Sequence, residues 1–117
     1  MNKQGKIAQN TKSKRQAKKY AEMTNEVIYM MTEKYTRVVK VGYAKNFADR
    51  LAQYRTHSAS FEILDVRYGT KADEKMYQAM LEEMGFIQHY DGAKTEWYDL
   101  PDTMPKATIR KGFAMFE

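Results

Sequence analysis

A chain of 117 residues, 43% hydrophobic and 13% aromatic, can bury one modest core, which suits a single domain with tails. The absence of cysteine excludes disulfides and thiolate metal sites and fits a cytoplasmic location. No apolar window is long enough to span a membrane, and no apolar stretch follows the basic start as in a secretory signal.

The net charge of +5 is unevenly placed: residues 1–21 hold seven cations and no acid, and the rest of the chain sums to −2. Residues 1–24 lack apolar periodicity and read as a flexible basic arm, partly helical near Lys14–Met23. Such an arm binds polyphosphate by releasing counterions, without reading sequence. Lys14, Arg15, Lys18 and Lys19 are its candidate nucleic-acid contacts, against the plainer reading of a solvated leader.

Val27–Met31 and Arg37–Tyr43, joined by a polar turn at Glu33–Thr36, predict an antiparallel hairpin. Alternation sends Val39 and Val41 to one face and Val38 and Lys40 to the other. Gly42 permits a close backbone approach. Asn46 is an N-cap for a helix running to about His57, with Phe47, Leu51 and Tyr54 as its buried stripe and Arg50 at the stripe's edge. Ser58–Ser60 breaks the pattern, and Phe61–Tyr68 reads as a third strand with Phe61 and Ile63 inward and Glu62 and Asp65 outward.

Thr70 and Asp73 form a capping box that opens a second helix to about Met84, with Gly85 at its end. Met76, Met80 and Met84 make a stripe expected to be core. Phe86–Tyr90 and Thr95–Leu100 close the domain as a hairpin across Asp91 and Gly92. Pro101 and Pro105 introduce a C-terminal extension. The division is therefore an arm at 1–24, a domain at 25–100 and an extension at 101–117. The order β-β-α-β-α-β-β predicts an α+β fold, a small, mostly antiparallel sheet flanked by helices.

The segment Val27–Leu100 resembles a GIY-YIG domain, in particular the compact phage and bacterial Orf172-like DNA-binding or nuclease branch. The resemblance rests on Val27-Ile28-Tyr29, Lys40-Val41-Gly42, Arg50-Leu51 with Tyr54, and a closing Glu96-Trp97-Tyr98. It implies that Tyr29 helps activate water, that Arg50 steadies the phosphate, that Glu74 ligates a single divalent ion, and that Gly42 lets the substrate backbone approach. Magnesium, or manganese, is the implied cofactor, and DNA, with RNA left open, the implied partner. Val27 stands for the first glycine of the pattern, Lys40 for its second tyrosine, Tyr54 for a frequent histidine, and Tyr77 or Gln78 for another.

The residue chemistry agrees with that role. Arg50 is a permanently charged, bidentate phosphate partner, and Glu74 in a first helical turn is a hard-oxygen ligand of the kind Mg²⁺ accepts. Lys40 is a further catalytic candidate, and Lys45 and Tyr54 are candidate nucleic-acid contacts. A phenol of pKa near ~10 serves as a base at neutral pH only if a cation such as Lys40 or Arg50 lowers that value. Each residue also has a plain reading. Tyr29 can simply pack, Arg50 can pair with Asp49 or Glu74, Glu74 can favour a helix start, and Lys40 can face solvent. Trp97 and Tyr98 can stack on bases but more readily seal the core. An endonuclease, a catalytically inactive binding module and a phage-encoded protein-interaction factor are the competing functions.

Overall fold

In the strand Val27–Glu33 (β1), every residue from Val27 to Thr32 is buried, which marks a central strand covered on both faces. The computed structural model describes residues 26–57 and 60–117, without the side chains of 55–57. The basic arm, with Lys14, Arg15, Lys18 and Lys19, and the break at Ser58 and Ala59 lie outside the described residues.

β1 is followed by β2 (Val38–Ala44), α1 (Phe47–His57), β3 (Phe61–Tyr68), α2 (Lys71–Glu83), β4 (Ile87–Tyr90) and β5 (Lys94–Asp99). A 3₁₀ segment then runs over Lys106–Phe116. The five strands form one sheet in the order β3-β1-β2-β5-β4, and every neighbouring pair is antiparallel. This is the α+β architecture the sequence predicts. Among the described residues, no helix is long and apolar enough to cross a membrane.

Alternation along β1 divides the core in two. Ile28 and Met30 join Val39, Val41, Leu64 and Leu81 on the face covered by α2 and the 3₁₀ segment. Val27, Tyr29 and Met31 join Phe47, Leu51 and Ile63 on the face covered by α1. The helix starts are set by local chemistry. The Asn46 side chain accepts the Asp49 N–H at 3.2 Å. Thr70 Oγ1 accepts the Asp73 N–H, and the Asp73 carboxylate accepts the Thr70 N–H at 2.8 Å.

Two expectations are corrected by packing, and an open alternative is decided. The methionine stripe is not the buried face of α2: Met76 is 48% exposed, and Leu81 is the residue fully inside. Leu81 points at the sheet, and the partly buried Tyr77 and Met84 flank it, so the apolar face is rotated from the one read off the methionines. Asp65 does not face out. It is completely buried, and its carboxylate accepts the backbone N–H groups of Val66 and Phe113, each at 2.9 Å. Of the two readings of Lys40, the solvent-facing one does not hold, because the residue is 7% exposed.

The segment after Pro101 is tied to the domain at several points. Ile109 and Phe113 are fully buried in the core on the α2 face. Gly112 has φ +64° and ψ −141°, a backbone state open essentially to glycine, and lies against the Asp65 side chain. Lys106 donates to the carbonyls of Glu33, Lys34 and Thr36, fixing the β1–β2 turn.

Candidate functional site

The sheet is not fully zipped, and the site grows from the gap. β2 pairs with β5 only through Val38–Asp99 and Val39–Tyr98. Past that point the two strands diverge, and side chains fill the wedge. Gln78 of α2 donates its amide to the Val41 carbonyl at 3.1 Å, satisfying an acceptor that strand pairing leaves over. Lys40 enters from β2 and Glu96 from β5, and they meet as an ion pair at 2.9 Å.

Tyr29 sits opposite Gly42 in the β1–β2 ladder. A Cβ at position 42 would run into the phenol end of the Tyr29 ring, so the glycine makes room for it. The ring is held by Phe47 at 5.5 Å and meets Tyr54 edge-on at 5.9 Å between centroids. The Tyr29 and Tyr54 hydroxyls are 2.7 Å apart. Lys40 Nζ donates to the Tyr54 oxygen at 2.7 Å, and the Arg50 guanidinium lies near both ring oxygens. The structure therefore brings four of the predicted residues, Tyr29, Lys40, Arg50 and Tyr54, into one group, with Gly42 beneath it.

The electrostatics follow from burial. Burial pushes the Tyr29 phenol far above its ordinary range and the bond to Tyr54 adds to this, while the charge of Arg50 opposes and loses. The lowering by Lys40 or Arg50 that a phenolate base requires is thus overridden by desolvation. Burial also works against the Arg50 charge, but the oxygens of Tyr29 and Tyr54 outweigh it and raise the pKa. The hydrogen bond from Lys40 holds the Glu96 carboxyl below the usual carboxylate range, with Arg50 contributing at longer reach.

Glu74 lies apart from the tyrosine group, in the first turn of α2. It faces a cavity of about 530 Å³ whose lining also includes Lys45, Arg50, Lys71 and Glu96. Arg50 comes from the helix on one face of the sheet and Glu74 from the helix on the other, and both line this one cavity. Tyr29 does not line this cavity; it is 0% exposed and is linked to it through its hydrogen bond with Tyr54, with Arg50 close by. The exposed Lys45 sits on the cavity wall. Among the described residues, no group of three or more His, Cys, Asp and Glu is placed to hold a metal ion, and the carboxylates that line this cavity are Asp49, Glu74 and Glu96.

Glu96 is a site residue that the sequence shows only as part of the closing triplet, because the partner that gives it a role, Lys40, lies on another strand. Glu96 lines this cavity and two neighbouring ones. The closing aromatic pair splits as well: Tyr98 is 6% exposed in the core, while Trp97 is half-buried and lines a cavity on the α1 face.

No match is found among curated proteins or among solved structures. The sequence model of the T5orf172 domain matches residues 26–115, a span that takes in every described strand, both α-helices and the cleft between Arg50 and Glu74. The chain belongs to the T5orf172 domain family.

Proposed function

We propose that this is a DNA-binding domain of the GIY-YIG type that hydrolyses phosphodiester bonds with the help of one divalent ion. The observation that carries the reading is the meeting of Arg50 and Glu74 across a single cleft, backed by the Tyr29–Tyr54–Lys40 group. Membership of the T5orf172 family supports a DNA-binding or nuclease-like module.

In this reading Arg50 binds the non-bridging oxygens of the phosphate as a fixed, always charged fork. The oxygens of Tyr54 and Tyr29 lie beside it and favour its charge. The Tyr54 oxygen accepts from Lys40 and shares a hydrogen bond with the Tyr29 hydroxyl. Tyr29 stays protonated at neutral pH and acts as a positioning residue, with Arg50 and Glu74 the groups that meet the substrate. Glu74 would hold the ion, which when bound supplies Lewis-acid charge beside the phosphate. Lys45 and Lys71 on the cavity wall add positive charge along the strand's path.

A second reading, binding without cleavage, is favoured by the burial of Tyr29, which removes the phenol from direct reach of water. One assay separates the two. Purified protein is incubated with supercoiled plasmid and Mg²⁺ or Mn²⁺, beside Arg50→Ala and Glu74→Gln. Nicking that drops ~10²–10³-fold in each variant supports the hydrolase. Salt-sensitive binding with no nicking under either ion supports the binding module, and full activity in both variants rejects this site.

A further inference from the structure

We infer that the cavity beside Trp97 is a seat for one unpaired nucleobase of a bound strand. The inference rests on the proposal that the domain handles polynucleotide, and it adds which form of the strand is recognised. The cavity measures about 660 Å³, within the range of about 300–1,000 Å³ usual for ligand sites. Its aromatic wall is Trp97 and Phe61, packed at 5.6 Å between centroids and 34° between planes. Phe61 in turn meets Tyr54 edge-on at 5.8 Å. Tyr54 is the residue bonded to Lys40 and close to Arg50, so the aromatic run leads from the cavity to the phosphate cleft.

The polar lining says which part of a nucleotide belongs here. Glu33, Asp91 and Glu96 face Lys40 and Lys94, with His89 held at 2.8 Å by Asp99. Three carboxylates against two ammonium groups give no net pull on a phosphate. They do offer acceptors and donors to the edge of an uncharged base. In the neighbouring cleft Lys45, Arg50 and Lys71 stand against Asp49, Glu74 and Glu96, so that lining is balanced in charge, and Glu96 lines both cavities. The phosphate is therefore less opposed on the Arg50 side, where a guanidinium fork can bind it, and the aromatic wall on the Trp97 side suits the base.

A concave, aromatic-walled seat needs the face of a base, which a duplex keeps stacked and a single strand or an extruded nucleotide exposes. Stacking on tryptophan tolerates any base, so the seat selects for unpaired structure and not for sequence. Single-stranded DNA and RNA share this chemistry, and the choice between them is left to the arms of the experiment.

Trp97 is the one tryptophan of the chain and therefore its own reporter. The full-length protein, in EDTA, is titrated with a short oligothymidylate, with the matching oligouridylate, and with a blunt duplex of equal length, while tryptophan emission is followed. The expected result is saturable quenching and protection from acrylamide by the single strands, with little change on adding duplex. By anisotropy of a fluorescein-labelled oligothymidylate, a readout that does not need the tryptophan, Trp97→Leu is expected to weaken single-strand binding about tenfold or more, with Trp97→Phe restoring much of the loss. Equal quenching by duplex and single strand, or unchanged acrylamide access on saturation, overturns the seat. The acrylamide arm needs no variant, so it stands if Trp97→Leu fails to fold. Glu74→Gln separates the two proposals: lost nicking with quenching intact leaves the seat standing, and nicking by the wild type without single-strand quenching removes the seat alone.

Discussion

The Tyr54 hydroxyl stands 2.7 Å from that of Tyr29 and 2.7 Å from Lys40 Nζ, joining a fully buried phenol to the charged edge of the cleft. The two tyrosines are therefore not equivalent. Tyr54→Phe leaves the buried Tyr29 hydroxyl and the nearly buried Lys40 short of a partner, and should cost about 1–3 kcal/mol. Tyr29→Phe removes the buried polar group itself while Tyr54 keeps Lys40 and Arg50, and should cost no more than about 1.5 kcal/mol. Urea unfolding of both variants decides the order. A Tyr29→Phe variant clearly less stable than Tyr54→Phe contradicts the network as described.

The raised pKa of Tyr29 makes a prediction at alkaline pH. Unfolded, the phenol titrates near ~10, whereas folded it holds its proton beyond that. Between the two values the folded state binds more protons, so stability falls as pH rises. Its contribution is fully present below about pH 10 and is lost above it, by up to about 1.4 kcal/mol per pH unit from this one group. Tyr98, raised by burial and by Glu82, adds in the same direction. Denaturation midpoints from pH 8 to 11 should fall less steeply for Tyr29→Phe than for the wild type. Parallel profiles would show that Tyr29 is not held neutral by the fold.

Gly42 and Tyr29 test the packing beneath the site. In Gly42→Ala the new methyl group meets the phenol end of a ring already held by Phe47, so it cannot be accommodated by a flexible tip. Overpacking of this kind costs about 1–3 kcal/mol. Because the displaced hydroxyl is one that lies beside Arg50, DNA cleavage should fall by more than the loss of folded protein explains. Comparing nicking rates at equal folded concentration separates the two effects.

How much of this was legible beforehand depends on the range of the interaction. The span of β3 and the capping box of α2 are legible because each is written in neighbouring residues, a β-branched and aromatic run ended by Gly69 and a Thr-x-x-Asp spacing, whereas the alternation expected within β3 is replaced by continuous burial from Ile63 to Val66. The order of strands around β1 was legible only as a class, since pairing partners are distant in the chain. Lys40 stays open between site and solvent in the sequence because alternation gives a face and not what covers it; Tyr54 and Glu96 cover it here. Asp65 looked outward for the same reason, its partner being the Phe113 backbone. Glu96 could not be found at all without knowing that β2 and β5 part after Val39.

The basic arm supplies a prediction independent of the cleft. Residues 1–21 hold seven cations and the remainder of the chain is net −2. If the arm carries the non-specific affinity, deleting it should flatten the plot of log K against log salt by up to about 6, the release expected for seven phosphate contacts on duplex DNA. Binding by the truncated chain with an unchanged salt slope would place the phosphate contacts in the folded domain instead.

The last prediction concerns Asp65 and the C-terminal segment. The Asp65 carboxylate accepts two backbone N–H groups in a site with no exposure, one of them from Phe113, and Gly112 sits against it in a glycine-only conformation. Asp65→Ala strands the Phe113 N–H and opens a cavity, and should cost about 2–4 kcal/mol. Gly112→Ala should also destabilise, by about 1–3 kcal/mol from backbone strain and more from collision with Asp65. Both act on one joint, so the double variant should be less destabilised than the sum of the singles. Ending the chain at Met104 removes Ile109 and Phe113 from the core on the α2 face and should leave no cooperative unfolding transition. A truncated chain that still unfolds cooperatively with the wild-type midpoint would show that the domain is complete without its C-terminal segment.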